Sequence, residues 1–177
     1  MSYSGGHILL SSQREGQVSR FPAWVMVVAP LAAILFQVYV PLFFQFLGFL
    51  EMPLLVVVYF ALMRRSQIGG LTVGAVVGLA QDSLSKNPLG MLGIVNTLVG
   101  YFAASVGLRL DVDHPLIRMT LTFFFFLFHQ FFYWLMAQAL LGQQLAFEVQ
   151  RTLVLGLLNA IVGVALFHFL DKLRKAT

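Results

Sequence analysis

The chain has 177 residues, of which 59% are hydrophobic and only 10% are charged, whereas about 25% are charged in an ordinary soluble domain. With a mean hydropathy of +0.87, this composition excludes a soluble domain and predicts one integral membrane domain. The formal net charge is +4, but the basic residues lie at the ends of apolar runs, so the charge does not indicate nucleic-acid binding. The absence of cysteine excludes disulfides, thiol catalysis and cysteine-based metal sites.

The N-terminal part of the sequence predicts a tail followed by a membrane anchor. Residues 1–20 are polar and predict a short cytoplasmic tail. The apolar run that follows is too long for a signal-peptide core and has no small-residue cleavage pattern, so it predicts a retained span. We expect this first span from Pro22 to Val40, with a kink at Pro30 and a break at Pro41.

The second predicted span has two alternative beginnings because its apolar sequence is interrupted. The stretch from Pro53 to Met63 is too short to cross about 30 Å of hydrocarbon at 1.5 Å per residue. The span therefore either begins before Glu51 or lies partly in the interface. Arg64 and Arg65 end it.

The third predicted span, residues 68–84, carries small residues at helical spacing. Gly70, Gly74 and Gly78 recur at every fourth residue, and Asp82 follows four residues later. Residues four apart lie on nearly the same face of a helix, and small residues let two helix backbones approach closely in a bilayer. The stripe therefore predicts close packing against another helix.

Similar small-residue faces occur in the fourth span, residues 89–108, and the sixth, residues 149–170. The fourth follows the turn Pro88-Leu89-Gly90 and also carries Asn96. We predict that seven glycines pack helices together: Gly70, Gly74, Gly78, Gly93, Gly100, Gly156 and Gly163. Residues 172–177 form a predicted basic cytoplasmic tail, which leaves residues 21–171 as a single all-α domain of six transmembrane helices.

The fifth predicted span, residues 116–141, is rich in aromatic residues and also carries polar side chains at helical spacing. Polar side chains within a membrane seek partners on neighbouring helices. These side chains either bind within the bundle or face a partner protein: Thr122, His129, Gln130, Tyr133 and Gln138. The sequence leaves both alternatives open.

The distribution of Lys and Arg predicts the orientation in the membrane. With both termini cytoplasmic, nine basic residues lie on the inside: Arg14, Arg20, Arg64, Arg65, Arg109, Arg118, Lys172, Arg174 and Lys175. Two lie on the outside, Lys86 and Arg151. This bias also favours an even number of spans, and it places Asp82 near the exterior side.

The sequence offers little support for catalysis or for a cofactor. It contains no HExxH motif, GxSxG elbow or phosphate-binding glycine loop. Asp111, Asp113 and His114 could hold a divalent ion, but a solvated loop whose charges balance nearby arginines is the favoured interpretation. Asp82 either orders the following turn through its backbone N–H groups, or serves a proton or substrate site, or pairs with Lys86 or a partner. The first is favoured, and it predicts that Asp82→Asn is tolerated.

The segment GLAQDSLSKNPLG, followed by Asn96 and Gly100-Tyr101, resembles the signature region of the rod shape-determining protein MreD family. The length, the number of spans and the segment PLLVVVYFALMRR are also similar to this family. The resemblance implies a fold related to the substrate-binding subunits of energy-coupling vitamin transporters. The residues of this sequence that match the family's motif, and that the resemblance implies are functional, are Asp82, Pro88, Leu89, Gly90 and Asn96.

The resemblance also implies a function and partners. It implies a non-enzymatic subunit of the cell-wall elongation complex in the bacterial inner membrane, which docks the single-span protein MreC and supports peptidoglycan synthesis. Further partners that it implies are the glycosyltransferase RodA, its class B transpeptidase and the cytoplasmic actin-like filament. The alternative is a solute-binding subunit of a transporter, in which Asp82, Asn96 and His129 line a pocket. A membrane enzyme is a third and weaker possibility.

Overall fold

The computed structural model describes residues 21–85, 88–142 and 146–173. Within these ranges the chain forms α-helices and one 3₁₀ helix (Gln45–Phe49), and no strand. The α-helices are α1 (Ala23–Phe43), α2 (Met52–Arg64), α3 (Gln67–Leu84), α4 (Met91–Gly107), α5 (Pro115–Leu141) and α6 (Val149–Asp171). The predicted cytoplasmic tail 1–20 lies outside the described residues, as do residues 174–177 of the C-terminal tail, Lys86 and Asn87.

Among the described residues, four segments are long and apolar enough to cross a membrane: Ala23–Phe43, Gln45–Arg64, Pro115–Leu141 and Val149–Asp171. The apolar helix Met91–Gly107 is shorter. Helix α3 has the length of a span, but its glycines and polar residues make it less apolar. The chain is thus a multi-pass membrane protein, and the full set of six spans stays a prediction.

The first helix is longer than the sequence predicted, because it does not break at Pro41. Both Pro30 and Pro41 lie inside α1, which continues to Phe43. The backbone N–H of Phe44 donates to the carbonyl of Val40 at 2.9 Å, so the last turn forms around the proline. The predicted break at Pro41 was wrong, because a proline in the last turn removes one hydrogen bond without preventing the neighbouring ones.

The second span has an interrupted beginning. The 3₁₀ helix and α2 together make the apolar segment Gln45–Arg64, and the chain between them is held by side chains of other helices. The N–H of Glu51 donates to Oδ1 of Asn159 at 2.8 Å. The N–H of Met52 donates to Oε1 of Gln37 at 3.3 Å. These amides satisfy backbone donors that the first turn of α2 leaves without helical partners.

Helix α2 forms the centre of the bundle. Every residue from 53 to 63 is buried, and the helix contacts each of the other five α-helices. The largest buried side chains include Tyr59 and Phe60 of α2 itself and Phe125, Phe126 and Phe167 of α5 and α6. The outer helices instead leave aliphatic side chains exposed, such as Val27 and Leu31 on α1, as expected for surfaces that face lipid.

Candidate functional site

The glycines of α3 form a seam against the backbone of α4. A Cβ built on Gly74 would lie 2.7 Å from the carbonyl carbon of Asn96, and a Cβ on Gly78 would lie 2.7 Å from Cα of Gly93. Gly70 and Gly100 face each other, since a Cβ on Gly100 would lie 2.8 Å from the carbonyl carbon of Gly70. Real Cβ atoms essentially never come within 3.0 Å of backbone, so only glycine allows this contact.

The other three predicted packing glycines meet side chains. A Cβ on Gly93 would lie 2.8 Å from Cδ2 of Leu79. A Cβ on Gly156 would lie 3.0 Å from Cε2 of Phe123, and one on Gly163 would lie 2.8 Å from Cγ2 of Thr122. All seven glycines therefore lie at contacts, but those of α6 face side chains that can shift.

Asp82 closes the seam at its end nearest the α3–α4 turn. Its Oδ2 accepts hydrogen bonds from the backbone N–H groups of Gly90, at 2.9 Å, and Gly93, at 3.0 Å. Its Oδ1 accepts one from the N–H of Leu92 at 3.1 Å. The carboxylate is buried and takes three donors from the start of α4, where helical N–H groups lack partners and the helix dipole favours negative charge.

The turn itself is shaped by Gly90. This residue has φ of 95°, a left-handed conformation that glycine adopts without the steric cost of a Cβ. Pro88 and Leu89 lie on the exposed side of the turn, and the Pro88 carbonyl accepts from the N–H of Met91 at 3.3 Å. Asp82 and the turn therefore form a cap for α4. The carboxylate comes from α3, and the turn and the first residues of α4 present the N–H donors.

Asn96 lies behind this cap in the same helix interface. It is fully buried, and its Nδ2 donates to Oε1 of Gln81 at 3.4 Å. Its Oδ1 has no hydrogen-bond partner among the described residues. Gln81, which no sequence argument singled out, links this asparagine to a cavity.

A cavity of about 540 Å³ lies between α1, α3, α4 and α5, beside the start of α2, on the Asp82 side of the bundle. Its polar lining residues are Gln37, Glu51, Gln81, Ser85, His129, Gln130 and Tyr133. His129 is buried, and its Nδ1 has no hydrogen-bond partner in the described part of the chain. Of the three residues predicted to line a pocket, only His129 does so. Asp82 is engaged by the α4 backbone, and Asn96 lies behind Gln81.

The polar residues of α5 do not form one outward face. Thr122 and His129 are buried inside the bundle, and the hydroxyl of Thr122 donates to the carbonyl of Arg118 at 2.7 Å. These two side chains therefore make contacts within the bundle and do not face a partner protein. Gln130 and Tyr133 are half-buried at the cavity, whereas Gln138 is exposed.

A charge cluster around the buried side chain of Arg118 lies at the opposite end of the bundle. Arg118 Nε donates to the carbonyl of Val112 at 2.6 Å, and its guanidinium forms salt bridges with Asp171 and Asp113. The hydroxyl of Tyr59 donates to the same Asp171 at 2.9 Å. The cluster ties α2, α5 and α6 together. The sequence predicted that charges of the preceding loop balance nearby arginines, as Asp113 does for Arg118, but it did not predict the contact of Arg118 with Asp171.

The loop before α5 uses its polar groups locally. Oδ1 of Asp111 accepts from the N–H of Asp113 at 3.2 Å, and Nδ1 of His114 accepts from the N–H of Leu116 at 3.3 Å. No group of three or more His, Asp or Glu side chains suited to a metal ion occurs among the described residues. These contacts favour a structured loop with a helix cap over an ion site.

One comparison with known proteins assigns a family. The family model described as rod shape-determining protein MreD matches residues 19–176, which is nearly the whole chain. Searches of curated proteins and of solved structures give no match.

Proposed function

This chain belongs to the rod shape-determining protein MreD family, and from that premise we propose that it is a non-enzymatic membrane subunit of the cell-wall elongation complex. In this role it docks the single transmembrane helix of MreC and supports peptidoglycan synthesis along the side wall. RodA and its class B transpeptidase are the further membrane partners that we propose, and the actin-like filament is the proposed cytoplasmic partner. The match over residues 19–176 is the observation that carries this function.

The character of the bundle supports a scaffold. The α3–α4 pair is held by backbone contact and the Asp82 cap, which fixes the two helices as one unit. Large aliphatic and aromatic side chains remain exposed on the outer helices, and such surfaces can bind lipid or another transmembrane helix. We also propose a likeness to the substrate-binding subunits of energy-coupling vitamin transporters.

The test of this function is complementation combined with copurification. The tagged chain would be produced in a rod-shaped bacterium depleted of its own MreD-family protein. We expect rod shape to return, and an MreC-like protein to be retained after detergent extraction. A chain that melts cooperatively and reaches the membrane, yet restores no shape and retains no MreC-like protein, would contradict the proposal.

We further propose that the protein lies in the inner membrane as six spans with both termini in the cytoplasm. The excess of Lys and Arg on one side supports this orientation, and the chain's lack of cysteine allows a direct test. A membrane-impermeant thiol reagent should label Glu148→Cys in intact spheroplasts, and Asp111→Cys only after permeabilisation. Both residues are exposed, so equal labelling of the two in intact cells would contradict this topology.

A further inference from the structure

The cavity beside the Asp82 cap combines a carboxylate, a buried imidazole and amide side chains within a membrane protein. We propose that this cavity binds a primary ammonium group carried by a small amphipathic molecule. The inference rests on the cavity alone and does not depend on the proposed role in cell-wall elongation.

The charges around the cavity select for a cation. Glu51 is an acidic lining residue, and neither Lys nor Arg is among the described residues that line the cavity. No salt bridge joins Glu51 to a basic residue in the described ranges. Asp82 lies directly beside the lining residue Gln81, and its own contacts are neutral backbone N–H groups. Carboxylates within a bundle are normally paired, so an anionic ligand is disfavoured here and a cation is favoured.

The hydrogen-bonding groups of the wall match a primary ammonium. An ammonium has three donors and no acceptor, so it requires several acceptors that converge. The carboxylate of Glu51 and the side-chain carbonyl of Gln130 can supply them. The side-chain carbonyl of Gln37 already accepts from the N–H of Met52 and has a second lone pair to offer. His129 adds a buried nitrogen, Nδ1, that has no partner among the described residues. A quaternary ammonium would use the charge but could donate no hydrogen bond.

The remaining wall explains why the ligand should be amphipathic. Val38, Leu42, Leu84 and Leu92 complete the lining. Leu42 and Leu84 are 73% and 53% exposed whereas Leu92 is buried, so apolar surface lies both at the exposed part of the lining and beside the polar groups. The volume of about 540 Å³ falls within the range of about 300–1,000 Å³ usual for small-molecule sites.

Two sources could supply this chemistry, namely the headgroup of an aminophospholipid and a water-soluble amine. The test uses the full chain, delipidated in detergent, and measures the melting temperature during titration with each probe. The probes are phosphatidylethanolamine and ethanolamine, with phosphatidylcholine and phosphatidylglycerol as lipid controls. We expect a saturable rise with a primary amine. A rise with phosphatidylethanolamine alone indicates the lipid source, and a rise with ethanolamine indicates the soluble source.

Substitutions locate the binding. Glu51→Gln keeps the size and removes the charge, and we expect the amine to bind about 10- to 100-fold more weakly, as for loss of a hydrogen bond to a charged group. Glu148→Gln is the matched control, since it removes one acidic charge from an exposed side chain next to α6. We expect this control to bind as the parent does.

The proposal is overturned if neither amine gives a saturable shift, or if phosphatidylcholine or phosphatidylglycerol shifts melting as strongly as phosphatidylethanolamine. It is also overturned if Glu51→Gln folds and binds the amine unchanged, or if Glu148→Gln weakens binding equally. If the Glu51→Gln variant does not fold, the variant His129→Phe is used to test the proposal instead. This change keeps a ring and removes the nitrogens, and we expect binding to be weaker by about fivefold. Unchanged affinity in that variant also overturns the proposal.

Discussion

The bundle contains two helix pairs that are held together in different ways. Helices α3 and α4 meet backbone to backbone, because Gly70, Gly74 and Gly78 lie directly against the main chain of α4. Helices α5 and α6 meet through side chains, since Gly156 and Gly163 lie against Phe123 and Thr122. At these three glycines the first pair therefore has no side chain that can move aside, whereas the second pair can adjust through rotamers.

The same contrast governs the buried charge of each pair. The carboxylate of Asp82 is satisfied by three backbone N–H groups from a single segment, the turn and first residues of α4. The guanidinium of Arg118 is satisfied by the carboxylates of Asp113 and Asp171 and by one backbone carbonyl. Charged groups in a membrane interior are costly unless they have partners. In the α3–α4 pair the partners are backbone N–H dipoles, and in the α5–α6 pair they are side chains of opposite charge. This difference predicts how each pair responds to substitution.

The largest expected effect is at the glycine seam. Gly74→Leu should prevent folding, and Gly74→Ala should already destabilise by about 3 kcal/mol, at the upper end of ordinary overpacking. The alanine Cβ would lie 2.7 Å from the Asn96 carbonyl carbon, so even this small side chain requires the two helices to move apart. The measurement is membrane accumulation and melting in detergent.

Gly48→Ala is the matched control for this change. Its Cβ would meet Pro41 at 3.4 Å, an ordinary contact, and the variant should melt close to the parent. If Gly74→Ala melted as high as this control, the backbone contact between α3 and α4 would be refuted.

The second effect concerns the counter-charges at the opposite end. Arg118→Met should destabilise by about 3 kcal/mol, because it leaves Asp171 without its cation. The double variant Arg118→Met with Asp171→Asn should regain part of this loss, since the asparagine oxygen can still accept from Tyr59. Melting of both variants, in detergent at one pH, checks this coupling. A double variant less stable than either single variant would show that the charges do not act as a pair.

A smaller effect should follow Asp82→Asn. The asparagine oxygen can replace only one of the two carboxylate oxygens, and the NH₂ group takes the place of the other. If the NH₂ group replaces Oδ2, it faces the N–H groups of Gly90 and Gly93; if it replaces Oδ1, it faces the N–H group of Leu92. We expect a loss of about 1–2 kcal/mol, the usual cost of an unpaired buried donor, where the sequence alone predicted tolerance. Asp82→Leu should cost more, because it leaves all three N–H groups without the carboxylate.

Detergent melting combined with shape rescue separates a structural role of Asp82 from a functional one. An Asn variant that melts like the parent but fails to restore rod shape would assign Asp82 a function beyond the cap.

These differences also mark what the sequence could predict. The helices between residues 67 and 171 begin and end within two residues of the predicted bounds, because long apolar runs bounded by polar residues are strong signals. The contact between Asp82 and the Gly90 turn was also predictable, since an acceptor residue, a proline and a glycine lay close together in the chain. Both are local features of the sequence.

The features that the sequence could not predict join residues far apart in the chain. Asn159 reaches the backbone at Phe49 and Glu51, and Arg118 reaches Asp171. The cavity similarly assembles Gln37, Glu51 and Gln81 from three segments. Such contacts depend on how the helices pack. The pattern of apolar runs along the sequence carries no information about which polar side chains come into contact. An acidic residue in an otherwise apolar stretch, as at Glu51, was the one available signal.

The smallest effect should come from the side-chain-mediated pair. In Gly163→Ala the new Cβ would lie 2.8 Å from Cγ2 of Thr122 and 3.4 Å from Cδ2 of Leu55. A methyl group at Thr122 can move by a small rotation or by a shift of α6, whereas a peptide carbonyl in a helix cannot. Alanine also favours the helical state over glycine by about 1 kcal/mol. The steric cost and the gain in helix propensity oppose each other, so we expect the free energy of unfolding to change by less than about 1 kcal/mol.

Comparing Gly163→Ala with Gly74→Ala tests the contrast most directly, because both put the same methyl group on a buried helical glycine. Combining Gly163→Ala with Thr122→Ser sharpens the comparison, since serine lacks the obstructing Cγ2 and keeps the hydroxyl that donates to Arg118. The double variant should be at least as stable as Gly163→Ala alone. If Gly163→Ala were as damaging as Gly74→Ala, and Thr122→Ser gave no relief, then α5 and α6 would be as unable to adjust as α3 and α4.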